Sequence, residues 1–75
     1  EKYGRVNLKK SFKYTRMGAE LGNSEAIFNL GCLYMNGDGV TKNLDEAIYW
    51  FTKSSGLGNA GAKNNLALVM EAVFK

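Results

Sequence analysis

An internal repeat constrains the fold of this chain more than any other feature of its sequence. Shifting the sequence by 36 residues aligns Gly22-Asn23 with Gly58-Asn59 and Leu21 with Leu57. The same shift also pairs Leu8 with Leu44, Ala26 with Ala62, Asn29 with Asn65, and Leu30 with Leu66. A fixed period of about 20 to 50 residues is typical of a solenoid, whose units bury their apolar faces against their neighbours. We therefore expect stacked copies of one small unit.

The spacing of apolar residues within each unit predicts helices. Residues that recur at i, i+4, i+7 and i+8 lie on one face of a 3.6-residue helix, and the sequence contains no proline that would interrupt one. Four helices are predicted: 8–21, about 24–36, one that opens at Asn43, and 60 to about 74. The predicted fold class is therefore all-α.

Polar residues mark where these helices should begin and end. Gly22-Asn23 and Gly58-Asn59 suit a left-handed C-cap followed by an N-cap. Asn43, with Glu46 three residues later, matches a capping box at the start of the third helix. We expect that helix to fray at residues 54–56, because serine and glycine are poor helix formers.

Gly37-Asp38-Gly39 separates the two central helices. This segment does not fit a phosphate-binding loop, because a dinucleotide-binding glycine loop follows a strand and this segment follows a predicted helix. As a calcium loop it also fails, because Tyr34 and Lys42 would occupy ligand positions. We interpret it as a turn and predict a positive φ at Gly39.

Composition argues against most catalytic chemistry. The 75 residues include no histidine and one cysteine, Cys32, so the chain has no Cys–His pair, no Ser-His-Asp triad and no internal disulfide. We predict no catalytic activity, no cofactor and no bound metal. The longest apolar run, 66–70, is too short to cross a bilayer. Because the chain begins with Glu1, we interpret it as an excised fragment or a processed product.

The first third of the chain is basic. Residues 1–20 carry a net charge of +4 and the remainder −1. Lys9, Lys13 and Arg16 form one helical stripe, which suits either nucleic acid or an acidic partner. The alternative is a solvated outer helix face. We favour it because no aromatic residue for base stacking lies on the stripe.

Four aromatic residues in the predicted helices have two possible roles. They are Tyr14, Tyr34, Trp50 and Phe51. They could form a ligand pocket, or they could interlock neighbouring helices as part of the core. We favour the core, because aromatic residues at helical spacing most often fill the contact between helices.

One set of spacings is specific enough to indicate a family. The set comprises Ala26, Leu30, Gly31, Tyr34, Gly37, Gly39, Ala47, Trp50, Phe51 and Gly58. This pattern closely resembles the Sel-one-like repeat (SLR) family, which is related to the tetratricopeptide repeat. The resemblance implies a right-handed superhelix of antiparallel helix pairs. It also implies a division into 8–21 as the second helix of a preceding unit, 24–59 as one complete unit, and 60–75 as the first helix of the next unit or a terminal helix.

The resemblance also implies where a partner would bind. In such solenoids the first helix of each unit tends to line the concave surface, which here carries Glu25, Asn29, Cys32 and Asn36. Asn65 is the counterpart of Asn29 one period later. Amides at repeated positions suit a ladder that binds a peptide backbone, since asparagine both donates and accepts hydrogen bonds. Simple solvation of these residues is the alternative.

The expected function is a non-enzymatic adaptor or scaffold whose partners are other proteins or peptides. Two alternatives are an activator or accessory subunit of an enzyme, and binding of nucleic acid or an acidic partner through the basic first helix. The fourth helix is apolar on more than one face and the first lacks its family partner. We therefore expect the chain either to self-associate through its ends or to form part of a longer array.

Overall fold

A computed structural model describes residues 8–75, and every regular element in that range is an α-helix. The helices are α1 (Leu8–Glu20), α2 (Ser24–Asn36), α3 (Leu44–Gly56) and α4 (Ala60–Val73). Each helix packs against the next along the chain, and α2 also approaches α4, whereas the backbones of α1 and α3 stay apart. The predicted all-α class and four helices are confirmed. The predicted lead-in before Leu8 lies outside the described residues.

Asparagine side chains start three of the four helices. The side-chain oxygens of Asn23, Asn43 and Asn59 accept hydrogen bonds from the backbone N–H three residues ahead, at 3.0, 3.1 and 2.9 Å. Each such cap contributes about 1 kcal/mol. Gly22 and Gly58 precede two of these asparagines with φ of 90° and 98°, as predicted. Short-range chemistry therefore determines these helix boundaries.

The predicted capping box at α3 forms only in part. Asn43 accepts from the Glu46 backbone as expected, but its own N–H donates to the carbonyl of Tyr34 at 3.0 Å. The Glu46 carboxylate accepts from Trp50 Nε1 at 3.1 Å instead. The bond from the Asn43 N–H to the Glu46 carboxylate therefore does not form, because each of these two groups has another partner.

The prediction that α3 frays at residues 54–56 is wrong. The helix continues to Gly56, and Ser54 is completely buried. Its hydroxyl donates to the carbonyl of Ser24 at 3.2 Å, which links the end of α3 to the start of α2. Packing and this hydrogen bond outweigh the poor helix propensity of the segment.

The core consists of two clusters that meet around α2 and α3. One contains Ala47, Phe51, Ala62 and Val69, and the other contains Ala19, Ile27 and Leu30. Phe51 is the largest fully buried side chain, and its ring lies against Gly31 of α2. Because several positions are alanine or glycine, the helices pack close together with few large side chains.

Apolar side chains are exposed on both outer helices. Leu21 is 87% exposed next to α1, while Leu68 and Phe74 are 60% and 75% exposed on and beside α4. Leu68 also borders an apolar pocket of about 170 Å³. Tyr14 was predicted to belong to the core but is 59% exposed on α1, because it lies on the side of α1 that no described residue covers.

We predict that the chain self-associates through these outer helices. Covering exposed apolar surface contributes roughly 25 cal/mol per Å², so patches of a few hundred Å² favour association. Sedimentation at several protein concentrations should show association that Leu68→Glu reduces. Leu57→Glu is the matched control, since Leu57 is similarly exposed but follows α3. A wild-type chain that stays monomeric at every concentration would contradict this prediction.

Candidate functional site

The residues predicted to contact a partner lie along α2 and on α4. Glu25, Asn29 and Asn36 are exposed on α2, and Cys32 between them is half-buried, as is Asn65 on α4. Their spacing of four, three and four residues places the α2 members on one side of the helix. We call these five residues the α2–α4 face.

One contact joins the two helices across this face. Asn65 Nδ2 donates to Cys32 Sγ at 3.5 Å, a weak hydrogen bond because sulfur is a poor acceptor. Burial raises the pKa of the Cys32 thiol, and the bond from Asn65 lowers it in part. The thiol therefore remains protonated at neutral pH. Asn29 makes no side-chain hydrogen bond to another described residue, so the two amides are not equivalent as the repeat predicted.

A second concave feature lies between α1 and α3. It is an open groove of about 550 Å³, and it lies where both helices pack on α2 while their backbones stay apart. It is lined by Arg16 and Glu20 from α1, Tyr34 from α2, and Asn43, Asp45, Glu46, Tyr49 and Trp50 at the start of α3. We call it the α1–α3 groove. The aromatic pocket that the sequence left open as an alternative shares Tyr34 and Trp50 with this groove. Its position between α1 and α3 and its acidic residues were not predicted, although the 36-residue offset already relates the two helices.

The α1–α3 groove carries more negative than positive charge. Arg16 is paired with Glu20 at 3.1 Å, and no ion pair within residues 8–75 involves Asp45 or Glu46. Burial and the Glu46 carboxylate both raise the pKa of Tyr34, while Arg16 lowers it. The groove is therefore acidic in a chain whose net charge is +3.

Aromatic rings form part of the same groove. Tyr49 and Trp50 meet edge to face with their centroids 4.8 Å apart. Lys53 Nζ lies 5.7 Å from the Tyr49 centroid and 5.8 Å from that of Trp50, within the range of a cation–π contact. Tyr34 packs at 90° on Phe12 at 5.5 Å. The ring pair therefore already contacts one cation.

The basic stripe on α1 is largely solvated. Lys9 and Lys13 are exposed, and Arg16 is engaged by Glu20. Two further basic residues of this segment, Lys2 and Arg5, lie outside the described range. In the part of the chain that the structure describes, no cluster of three acidic, cysteine or histidine side chains is placed to hold a metal ion. Nor is any helix there long and apolar enough to span a membrane.

The motif residues lie at packing positions and turns. Leu30, Gly31, Ala47 and Phe51 are buried; Ala26, Tyr34 and Trp50 are half-buried; Gly37, Gly39 and Gly58 have positive φ. The positive φ predicted for Gly39 is confirmed at 75°. These burial levels and φ values place the motif residues where α2 meets α3 and in the turns between helices.

The fold and the repeated glycine-asparagine boundaries define a helical-repeat protein built from α-hairpins. Residues 2–23 and 24–59 match the Sel1 repeat, which covers more than half of the chain. The chain therefore belongs to the Sel1 repeat family, as the spacing of its motif predicted.

Three similar proteins come from distant sources. DAP3-binding cell death enhancer 1 of Rattus norvegicus is 40% identical over 57 residues, which is 76% of this chain and 11% of that protein. Chitin synthase regulatory factor 2 of Schizosaccharomyces pombe is 30% identical over 64 residues, 85% of this chain and 12% of that protein. Putative sel1-like repeat-containing protein L18 of Acanthamoeba polyphaga mimivirus is 41% identical over 44 residues, 59% and 8% of the two lengths.

The chain thus spans about a tenth of the length of the curated relatives it matches. No solved structure matches it.

Proposed function

We propose that this chain is a non-enzymatic protein-interaction module that binds an extended peptide segment of a partner on the α2–α4 face. Sel1 repeats generally mediate protein–protein interactions. We infer further that 24–59 is the complete structural unit, with α1 and α4 contributed by its neighbours. In this arrangement α2 and α4 are the equivalent first helices of successive units.

The observation that carries this proposal is the row of exposed polar groups on α2 beside α4. Asn29 and Asn36 expose amides that are free to pair with a peptide backbone, since neither bonds another described side chain. Asn65, whose side chain contacts Cys32, adds a polar group from α4 to the same surface. Polar groups held on rigid helices suit peptide recognition, because binding then immobilises few side chains.

A second form of the same function is that of an accessory subunit that holds or activates an enzyme. The name of the fission-yeast relative describes a regulatory factor, and that of the rat relative describes binding of another protein. Both names agree with a chain that acts through a partner.

The proposal predicts that removing an amide from the α2–α4 face weakens peptide binding. Peptides selected from a random phage-displayed library against the chain should bind Asn29→Ala roughly three- to tenfold more weakly, because about 1 kcal/mol is lost with each hydrogen bond. Fluorescence anisotropy with the synthetic peptides measures this change.

Thr52→Ala is the matched control, because Thr52 is an exposed polar residue on α3 outside both concave features. Selected peptides that bind Asn29→Ala, Asn36→Ala and wild type equally well would contradict binding on this face. Failure to select any peptide in repeated rounds would contradict the peptide-binding function itself.

A further inference from the structure

The α1–α3 groove combines aromatic rings with carboxylates. Tyr34 and the Tyr49–Trp50 pair line it, together with the carboxylates of Asp45 and Glu46, which form no ion pair with a described residue. Acidic residues in a first helical turn favour the helix dipole. Tyr34 and Trp50 also pack against a buried core cluster. Neither role accounts for the exposed Tyr49 ring beside these carboxylates, or for the hydrogen bond between Glu46 and an indole.

From this arrangement we propose that the α1–α3 groove binds an arginine side chain within a basic segment of a partner protein. The inference deepens the proposed interaction function and rests on it, but it concerns a surface distinct from the α2–α4 face. A partner that used both surfaces would contact α1, α2, α3 and α4 together.

Charge complementarity selects this occupant. Three carboxylates line the groove against one arginine, and that arginine is already paired with Glu20. An incoming cation therefore meets two carboxylates, those of Asp45 and Glu46, that no described cation neutralises. An anionic ligand such as a phosphate would be repelled by the same groups, although the chain as a whole carries a charge of +3.

The geometry favours a planar cation. The Glu46 carboxylate is anchored by one hydrogen bond from Trp50 Nε1, which leaves acceptor positions free for a guanidinium. The adjacent rings can stack on the guanidinium plane, and arginine makes such contacts more readily than lysine. Lys53 does not line the groove, but its ammonium lies near both rings, so these two rings can make a cation–π contact.

Trp50 is the only tryptophan in the chain, so its fluorescence and its indole N–H resonance report on the groove alone. The probe is a ten-residue peptide with three arginines spaced by glycine and serine. Its control is the same peptide with citrulline in place of arginine, which keeps the shape and removes the charge. We expect the arginine peptide to shift the indole resonance and the citrulline peptide to leave it unchanged.

Charge-removing variants localise the binding. Glu46→Gln keeps an acceptor for the Trp50 indole, and we expect it to weaken binding of the arginine peptide roughly three- to tenfold, with a reduced dependence on salt. Glu71→Gln removes the same charge from an exposed position on α4 and should leave affinity unchanged. Lys53→Gln should strengthen binding, because it removes a competing cation.

Two outcomes would overturn the inference in different ways. If binding is weakened by Glu25→Gln and not by Glu46→Gln, the peptide occupies the α2–α4 face, so the groove assignment is wrong and the proposed function stands. If the arginine peptide produces no shift of the Trp50 resonance at any concentration, the groove does not bind arginine. The phage selection on the α2–α4 face tests the proposed function independently.

Discussion

Replacing Gly39 by valine should remove most of the free energy that holds this protein folded. The φ of 75° at Gly39 is strongly unfavourable for a β-branched residue and costs roughly 1–3 kcal/mol. A Cβ there would also lie 2.7 Å from the carbonyl carbon of Leu8 and closer still to its oxygen. These are backbone atoms at the start of α1, so they move only if the helix moves. Together the two effects approach the roughly 3–5 kcal/mol that a core in so short a chain supplies.

Thermal unfolding followed by far-ultraviolet circular dichroism measures this loss. Alanine substitutions separate its two causes, because Gly58 also has a positive φ, of 98°, but no atom within 4 Å of the added Cβ. Gly58→Ala should therefore show the conformational cost of about 1 kcal/mol, and Gly39→Ala distinctly more. Equal losses in the two variants would show that the turn and α1 do not constrain each other.

Replacing Gly31 by leucine should lower the free energy of unfolding by about 2 kcal/mol, the size expected for overpacking a core. A Cβ at Gly31 would lie 2.7 Å from two carbons of the Phe51 ring, which is completely buried and has no space to turn away. The gain in helix propensity, about 1 kcal/mol relative to glycine, does not compensate for this. In a domain of this size the melting temperature should fall by roughly 8–16 °C.

A double-mutant cycle attributes the effect to this contact. Phe51→Leu removes ring atoms near Gly31, so it should reduce the penalty of Gly31→Ala, and the two changes should be coupled by at least about 0.5 kcal/mol. Gly56→Ala is the control for helix propensity, because Gly56 lies in α3 with open space around it. Unfolding free energies that add within error would mean that the Gly31–Phe51 contact does not limit the approach of α2 to α3.

Most of the local structure was predictable because it depends on neighbours in sequence. An asparagine three residues before a free N–H starts a helix wherever the chain places it, so the boundaries at Asn23 and Asn59 followed from the sequence. The positive φ of Gly39 was predictable for the same reason, because glycine in a turn between helices adopts positive φ at no steric cost. The 36-residue period predicted the repeated hairpin before any contact was known.

Contacts between residues in the folded chain decided two features that sequence periodicity does not predict, the end of α3 and the partner of Glu46. Ser54 has a low helix propensity. Its burial and its hydrogen bond to the Ser24 carbonyl nevertheless stabilise α3 as far as Gly56. The sequence predicts that Glu46 forms half of a capping box. Its carboxylate instead accepts a hydrogen bond from the Trp50 indole one turn later. In each case a partner group that sequence spacing does not select competes successfully for the side chain.

The sequence by itself therefore determined the four helices, their asparagine N-caps and the repeat, all of which arise from interactions within a few residues or from a fixed period. Only the tertiary structure decided which surfaces are available for binding. The Asn65 amide donates to Cys32, and the α1–α3 groove opens because α1 and α3 both pack on α2 while their backbones stay apart. Grooves of this kind depend on the distance between packed helices, which is determined by the combined size of side chains such as Gly31 and Phe51 from separate parts of the chain.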